Sequence, residues 1–308
     1  MKLPSLLTEG QSTFILDGNT VIQNHKAIKV VIEDDKFRLI MNKKINQSNP
    51  IDIVLNNTLL KKEYAIEFGR GSDLRVNFFF VIGKPQSTQL NIILKAEAKI
   101  DFNLVLIGKI KNSMIVDRFT TLNENASLKI TTGYLTHGIL KVNESVLLKG
   151  SDSEFDGENL VIGQNNDEVA ITQNVRHSAK RSSSLIHNSI VANDASKIKF
   201  DIYGTIDKTM EHSKCFQHSK GVILGEKSWI EVDPKLIINE YDVEAGHGAA
   251  IGQINQDELY YLSSRGLTEN HAKRLIIQGY TDPFITKFVN MNHQRFVNQL
   301  IIRKMGGR

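Results

Sequence analysis

His247 stands between two glycines in the run Glu244-Ala-Gly-His-Gly-Ala-Ala-Ile-Gly252. An imidazole can ligate a metal or carry a proton near neutral pH. Glycine on both sides lets another backbone or a cofactor come close. The plainer reading is a turn histidine satisfied by backbone. A second group with ligand chemistry is His212-x-x-Cys215-x-x-His218. On a strand, His212 and His218 share one face and Cys215 points to the other. One thiolate is also few for a structural zinc or iron–sulfur site. Only a sharp bend over 213–217 would bring these three together.

Other motifs fail on their spacing. Gly221-Val-Ile-Leu-Gly225-Glu-Lys227-Ser228 departs from a phosphate-binding loop because Glu226 separates the glycine from the lysine. Gly246-His-Gly248-Ala-Ala-Ile-Gly252 misses the dinucleotide register by one residue and opens no βαβ unit. Ser182-Ser183-Ser184, near His177 and His187, lacks the nucleophile-elbow pattern. No carboxylate pair stands out as acid and base.

The elements that must hold these residues are mostly strands. From about residue 12 to residue 243, apolar and polar residues alternate, as in Leu128-Lys129-Ile130 and Ile198-Lys199-Phe200. That period of two marks strands with one buried face. A small residue repeatedly precedes apolar ones two and four positions on: Ser72, Ala98, Ala126, Ser196 and Ser228, with Ser153 a weaker copy. The spacings are 26, 28, 27, 43 and 32 residues. Such a period favours a β-solenoid over a β-sandwich, because stacked coils share one interior that no single coil can bury.

After Gly252 the pattern turns helical. Helices are predicted over 257–263, 269–278 and 283–304, with Thr268 and Asp282 as N-caps, Gly279 after the second helix and Pro283 in the first turn of the third. The predicted fold is mainly β, with an N-terminal β segment over 1–60, a solenoid core over 61–252 and a small C-terminal helical domain over 253–308.

The net charge of +4 is too small to argue for nucleic acid, and no nucleic-acid-binding motif is present. One cysteine, Cys215, permits no internal disulfide and fits a reducing cytosol. Met1–Ser12 reads as too short for a signal peptide, and the most apolar run, Phe78–Ile82, is far below a membrane span. The expectation is a cytoplasmic chain that engages neither membrane nor nucleic acid.

A longer string carries a family resemblance. Pro234-x-Leu236-x-Ile238, Asp242-Val243, His247-Gly248-Ala249, Ile251-Gly252, Leu259-Tyr260-Tyr261-Leu262 and Ser264-Arg265-Gly266-Leu267, continued by Ala272, Gly279 and Tyr280, resemble the C-terminal signature of the SufB/SufD family. Val175-x-His177-x-Ala179 and the coil near Gly204 are also similar to it. The resemblance implies a right-handed parallel β-helix followed by helices, in the SUF machinery that assembles iron–sulfur clusters. It implies a non-enzymatic subunit that pairs through its β-helix with a sister chain and docks an ABC-type ATPase, SufC, through its C-terminal helices. Tyr260, Arg265 and Tyr280 are the docking candidates that follow.

Thiols separate the two branches of the family. The cluster-associated cysteine of SufB-type chains falls at Ser228 here, and a cysteine common in SufD chains falls at Ala245. His247-Gly248-Ala249 is similar to the SufD form. Serine and alanine cannot replace a thiolate ligand. The resemblance therefore implies a SufD-like chain that binds no cluster alone and offers His247 to a cluster shared with a SufB partner. It carries no reading on a flavin. The family usually has a longer helical N-terminal region, whereas strands begin here almost at once. Two other readings are a degenerate homodimeric ATPase partner without cluster chemistry and a solenoid carbohydrate-active enzyme.

Overall fold

The computed structural model describes residues 13–306, apart from 18–19, 24–27, 34–35, 42–45, 58–62 and 83–86. Met1–Ser12, read above for a leader, lies outside the described residues. The chain is mainly β, with 61% strand, wound as a β-solenoid of about seven turns and ending in helices. Among the described residues, no helix is long and apolar enough to cross a membrane.

Two walls of parallel strands face each other across the interior. One wall stacks β1 (Thr13–Asp17), β5 (Asn46–Asn57), β7 (Asp73–Ile82), the first halves of β9 (Lys99–Leu122) and β10 (Ser127–Leu148), β11 (Glu154–Gly163), β13 (Ser183–Ala192), β15 (Lys214–Ile223) and β17 (Glu244–Gln253). The other stacks β4 (Lys36–Met41), β6 (Glu63–Phe68), β8 (Ser87–Leu94), the second halves of β9 and β10, β12 (Glu168–His177), β14 (Lys197–Ile206) and β16 (Trp229–Ile238). At the N-terminal end β2 (Thr20–Gln23) and β3 (Lys29–Glu33) pair antiparallel with β1 and β4. β9 and β10 each pass from one wall to the other, bending near Gly108 and Gly138, whose φ values of +149° and +104° few other residues would adopt.

Each coil turns at a corner built from one repeated device. A left-handed residue (Gly71, Glu97, Asn125, Asp152, Arg181 or His212) precedes a small side chain with no exposed surface: Ser72, Ala98, Ala126, Ser153, Ser182 or Ser213. The left-handed amide donates to a carbonyl one coil further on, as in Glu97 to Glu124 at 2.8 Å and Arg181 to Glu211 at 3.0 Å. This corrects the repeat read from sequence. Ser196 and Ser228 belong to the opposite corner, so the spacing of 43 joined two different columns. Ser182 and Ser213 are the missing members of the first.

The continuous apolar run over 78–82 follows from burial on both faces. Phe78, Phe80 and Ile82 join the interior, while Phe79 faces outward under the C-terminal helices. The outward column Val54, Phe79, Val105, Gly133 and Leu160 runs up that wall, in register from coil to coil. Upon it lie α2 (Glu269–Ile285) and α3 (Met291–Lys304), following α1 (Gln256–Ser264). Phe284 sits so close over Gly133 that an added Cβ would stand 2.4 Å from its ring.

The helix boundaries differ from expectation. Thr268 caps α2 as predicted, accepting from the His271 amide. The second helix does not stop at Gly279, however, and Asp282 caps nothing. It continues through Pro283 to Ile285, because Ile276, Ile277, Tyr280 and Phe284 all pack on the body. Tertiary packing outweighs the proline, which lies in the last turn. Asn290 is the N-cap of α3.

Polar contacts fasten the helices along the solenoid. His293 lies 3.4 Å from Asp52 and packs against Phe79. Lys287 pairs with Glu158. Lys304, fully buried, donates to Asp167 and to the Thr136 carbonyl.

Candidate pairing surface at the open end

The solenoid ends on two strand edges that the chain itself leaves unpaired. β16 pairs with β14 and β17 with β15; among the described residues no strand lies on the other side of either. The Glu244 amide donates to Ser213 and the Ile254 amide to Ile223. Donors to one neighbour recur at every second residue of a parallel strand. The amides of Ala245, His247, Ala249, Ile251 and Gln253 therefore face the open side. On β16, Trp229 and Asn239 donate to β14, which leaves Pro234 at an edge-facing position, where a missing N–H breaks no ladder bond. β17 thus carries the continuous open edge, and the edge of β16 is interrupted.

The register fixes where His247 points. It stacks on Gln217, which is buried and faces the interior, so His247 takes the inward column at the mouth of the solenoid. It is exposed because no coil covers it. Ala245 lies directly over Cys215, and Gly248 over His218. Ile238 and Tyr241, at 36% and 102% exposure, put apolar surface on the same end, while Trp229 and Ile237 continue the outward column over Lys197 and Thr205. A cleft of about 870 Å³ beside Ala245 is lined by Lys208, Ile238, Glu240, Tyr241 and Val243.

His212, Cys215 and His218 are not brought together. His212 occupies the left-handed corner position, with its ring 3.1 Å from Asp242. Cys215 faces inward and is buried, which pushes its thiol pKa up and keeps it protonated. His218 points outward and stacks on His187, with ring centroids 5.2 Å apart. Among the described residues, no group of three or more His, Cys, Asp or Glu could hold a metal ion. The strand reading erred on His212, which lies in the turn. Ser228 is likewise a corner residue, donating to the Gly225 carbonyl at 2.7 Å.

The serine run does meet a histidine. His177, with no exposed surface, is 2.8 Å from both Ser182 Oγ and Ser184 Oγ. The Ser182 hydroxyl donates to the Ala179 carbonyl, so Nδ1–H donates to Ser182 and Nε2 accepts from Ser184. This is a neutral interior histidine out of reach of any substrate. Burial pushes its pKa down to about 4, from 6.5. The unfolded chain then binds the proton first as pH falls, so the stabilisation is complete above 6.5 and is lost on the way down to 4. Between pH 7 and 4.5 the wild type should lose about 2–3 kcal/mol more unfolding free energy than His177→Gln. Urea titrations at the two pH values measure the difference, and equal losses would contradict this assignment.

The docking candidates divide. Tyr260 is 78% exposed, and Arg265 is exposed with its guanidinium 5.3 Å from the Tyr261 ring centre. Tyr280 is half-buried on the body beneath Lys220. Phe296, Val297, Leu300 and Ile301 of α3 are spent on the solenoid, while Tyr260 and Tyr261 of α1, Leu275 of α2, Val289, and Met291 and Ile302 of α3 stay exposed. Sequence reasoning missed His293 and Lys304, whose partners Asp52 and Asp167 lie more than a hundred residues away.

The fold is thus a β-solenoid with a hydrogen-bonded corner ladder, one open end and a helical flank. The family model "SUF system FeS cluster assembly, SufBD core domain" matches residues 52–280, and the chain belongs to that family. It is 27% identical over 181 residues to the iron-sulfur cluster assembly protein SufD of Bacillus subtilis, covering 59% of this chain and 41% of the relative. A SufBD family protein of Mycobacterium bovis is 22% identical over 221 residues, 72% of this chain and 26% of its own length. Another from Methanothermobacter thermautotrophicus is 30% identical over 139 residues, 44% and 33% of the two chains. The match thus spans less than half the length of each of these relatives.

Proposed function

We propose that this chain is a SufD-like, non-enzymatic subunit of an iron–sulfur scaffold complex. Its open end pairs with a SufB-type chain, and its α1–α2 flank docks a SufC-type ATPase. The observation that carries this reading is the unpaired edge of β17, with His247 beside it at the solenoid mouth. A partner strand added there would meet five edge-facing amides and cover the imidazole. The cluster is cargo. Its thiolates would come from the partner, since Ala245 and Ser228 supply none and Cys215 is sealed beneath Ala245. His247 would then be one donor among several, used only once the two ends have met. Docking at α1 is supported by Tyr260, Tyr261 and Arg265, which leave an aromatic, cationic surface that the solenoid does not use.

His247→Ala should leave pairing and ATPase binding unchanged. It should lower cluster assembly by the reconstituted complex by at least about tenfold, as expected when a metal donor is lost. Assembly followed by iron–sulfur absorbance measures this, and full assembly by the variant would overturn the role of His247.

A further inference from the structure

The final coil is acidic in a chain that is otherwise basic. Residues 225–258 hold eight Asp and Glu against two Lys, whereas the whole chain carries +4. Along the corner column, charges on one coil meet opposite charges on the next, as in Arg70 with Glu97 and Arg181 with Asp152. The column ends on acids. His212 reaches Asp242 and Lys214 reaches Glu244 from the coil beneath, and among the described residues no further coil supplies a base from above. Beyond β17, Asp257 and Glu258 open α1. β17 itself carries no charge between Glu244 and Gln253 apart from any on His247. Its open edge is therefore flanked by acids at both ends, Glu240, Asp242 and Glu244 before it and Asp257 and Glu258 after it.

We infer that this acidic frame selects a partner with a basic terminal coil and rejects a second copy of this chain; the inference rests on the open end being the pairing surface. Two copies related by a two-fold axis at a sheet edge pair antiparallel. The segment before one β17 then lies beside the segment after the other. In a self-pair, Glu240–Glu244 meets Asp257 and Glu258 twice, once at each end of the joint. Like charges across strands oppose pairing, and opposed potentials suppress wrong partners. Ile238 and Tyr241 offer the same apolar surface to either partner, so charge decides between them. A chain with lysines or arginines flanking its own edge strand turns both repulsive contacts into attractive ones.

The test uses the full chain and a recombinant SufB-type chain as probe. By sedimentation, the wild type alone should stay monomeric at about 50 mM NaCl. Asp257→Lys/Glu258→Lys, which makes the two flanks complementary, should self-associate at least about tenfold more tightly. Affinity for the SufB-type chain should fall about tenfold or more between about 50 and 500 mM NaCl, and again in the reversed variant. A wild-type dimer at low salt, or no gain in self-association on reversal, overturns the charge rule. So does SufB-type binding that ignores both salt and reversal yet is lost in Ala249→Pro, an outcome that leaves the open-end reading standing. Binding that survives Ala249→Pro as well overturns the open-end reading itself.

Discussion

Arg118→Met should destabilise the solenoid by about 3–5 kcal/mol, the cost of leaving one buried charge without its partner. Arg118 lies in the interior wall of β9, and its side chain is 3% exposed. It donates to Glu144 one coil on and to Thr132 Oγ1 across the interior at 2.9 Å. Glu144, equally buried, also accepts from Gln173 on the following coil at 2.9 Å. Arg118, Glu144 and Gln173 are in register on three successive rungs. Methionine fills much of the space but leaves the Glu144 carboxylate in an apolar shaft. Removing both charges in Arg118→Met/Glu144→Leu should cost less than removing one, because the desolvation penalty disappears with the pair. Chemical denaturation followed by circular dichroism measures both variants. A single variant no less stable than the double one would show that the pair is not energetically coupled. We expect the trio to fix register as well. A one-residue slip between coils would turn Arg118 or Glu144 to the wrong face.

The architecture was legible in sequence because a solenoid writes its inside and outside as alternation. The corner column was only half legible. Ser72, Ala98 and Ala126 are followed by large inward residues, Leu74, Ile100 and Leu128. After Ser182 and Ser213, however, the next inward positions are Ser184 and Cys215, and Gln217 follows. These polar residues hid two corners from a hydrophobic template. They also made the region around Cys215 resemble a metal motif. His177 was visible as part of a family string, but its bonds to Ser182 and Ser184 depend on how tightly the corner between them turns. The third helix was misplaced because Asp282-Pro283 is a strong start signal in isolation. The packing of Tyr280 and Phe284 on the body carries α2 through it. His247 stands out in the sequence through its flanking glycines. Its inward direction depends on the register with Gln217, which no local pattern reveals.

Ala249→Pro should abolish pairing through the open end while leaving the monomer folded. The alternation of ladder bonds turns the Ala249 amide outward, away from β15. A proline there removes a donor that only an added strand would use, and Pro234 shows the same solution on β16. The pairing of β17 with β15 keeps its own bonds. The expected loss is at least about a hundredfold in affinity for the SufB-type chain, because the ring also obstructs close approach along the joint. Gly248→Pro is the matched control. Its amide faces β15, so it should damage the last coil itself and lower stability.

The most direct measurement is binding of wild-type and Ala249→Pro chains to the SufB-type partner, with circular dichroism showing both folded. Lost binding by a folded Ala249→Pro chain is the result predicted for pairing through the edge of β17. Undiminished binding by that folded variant would contradict it and move the pairing surface elsewhere on the solenoid.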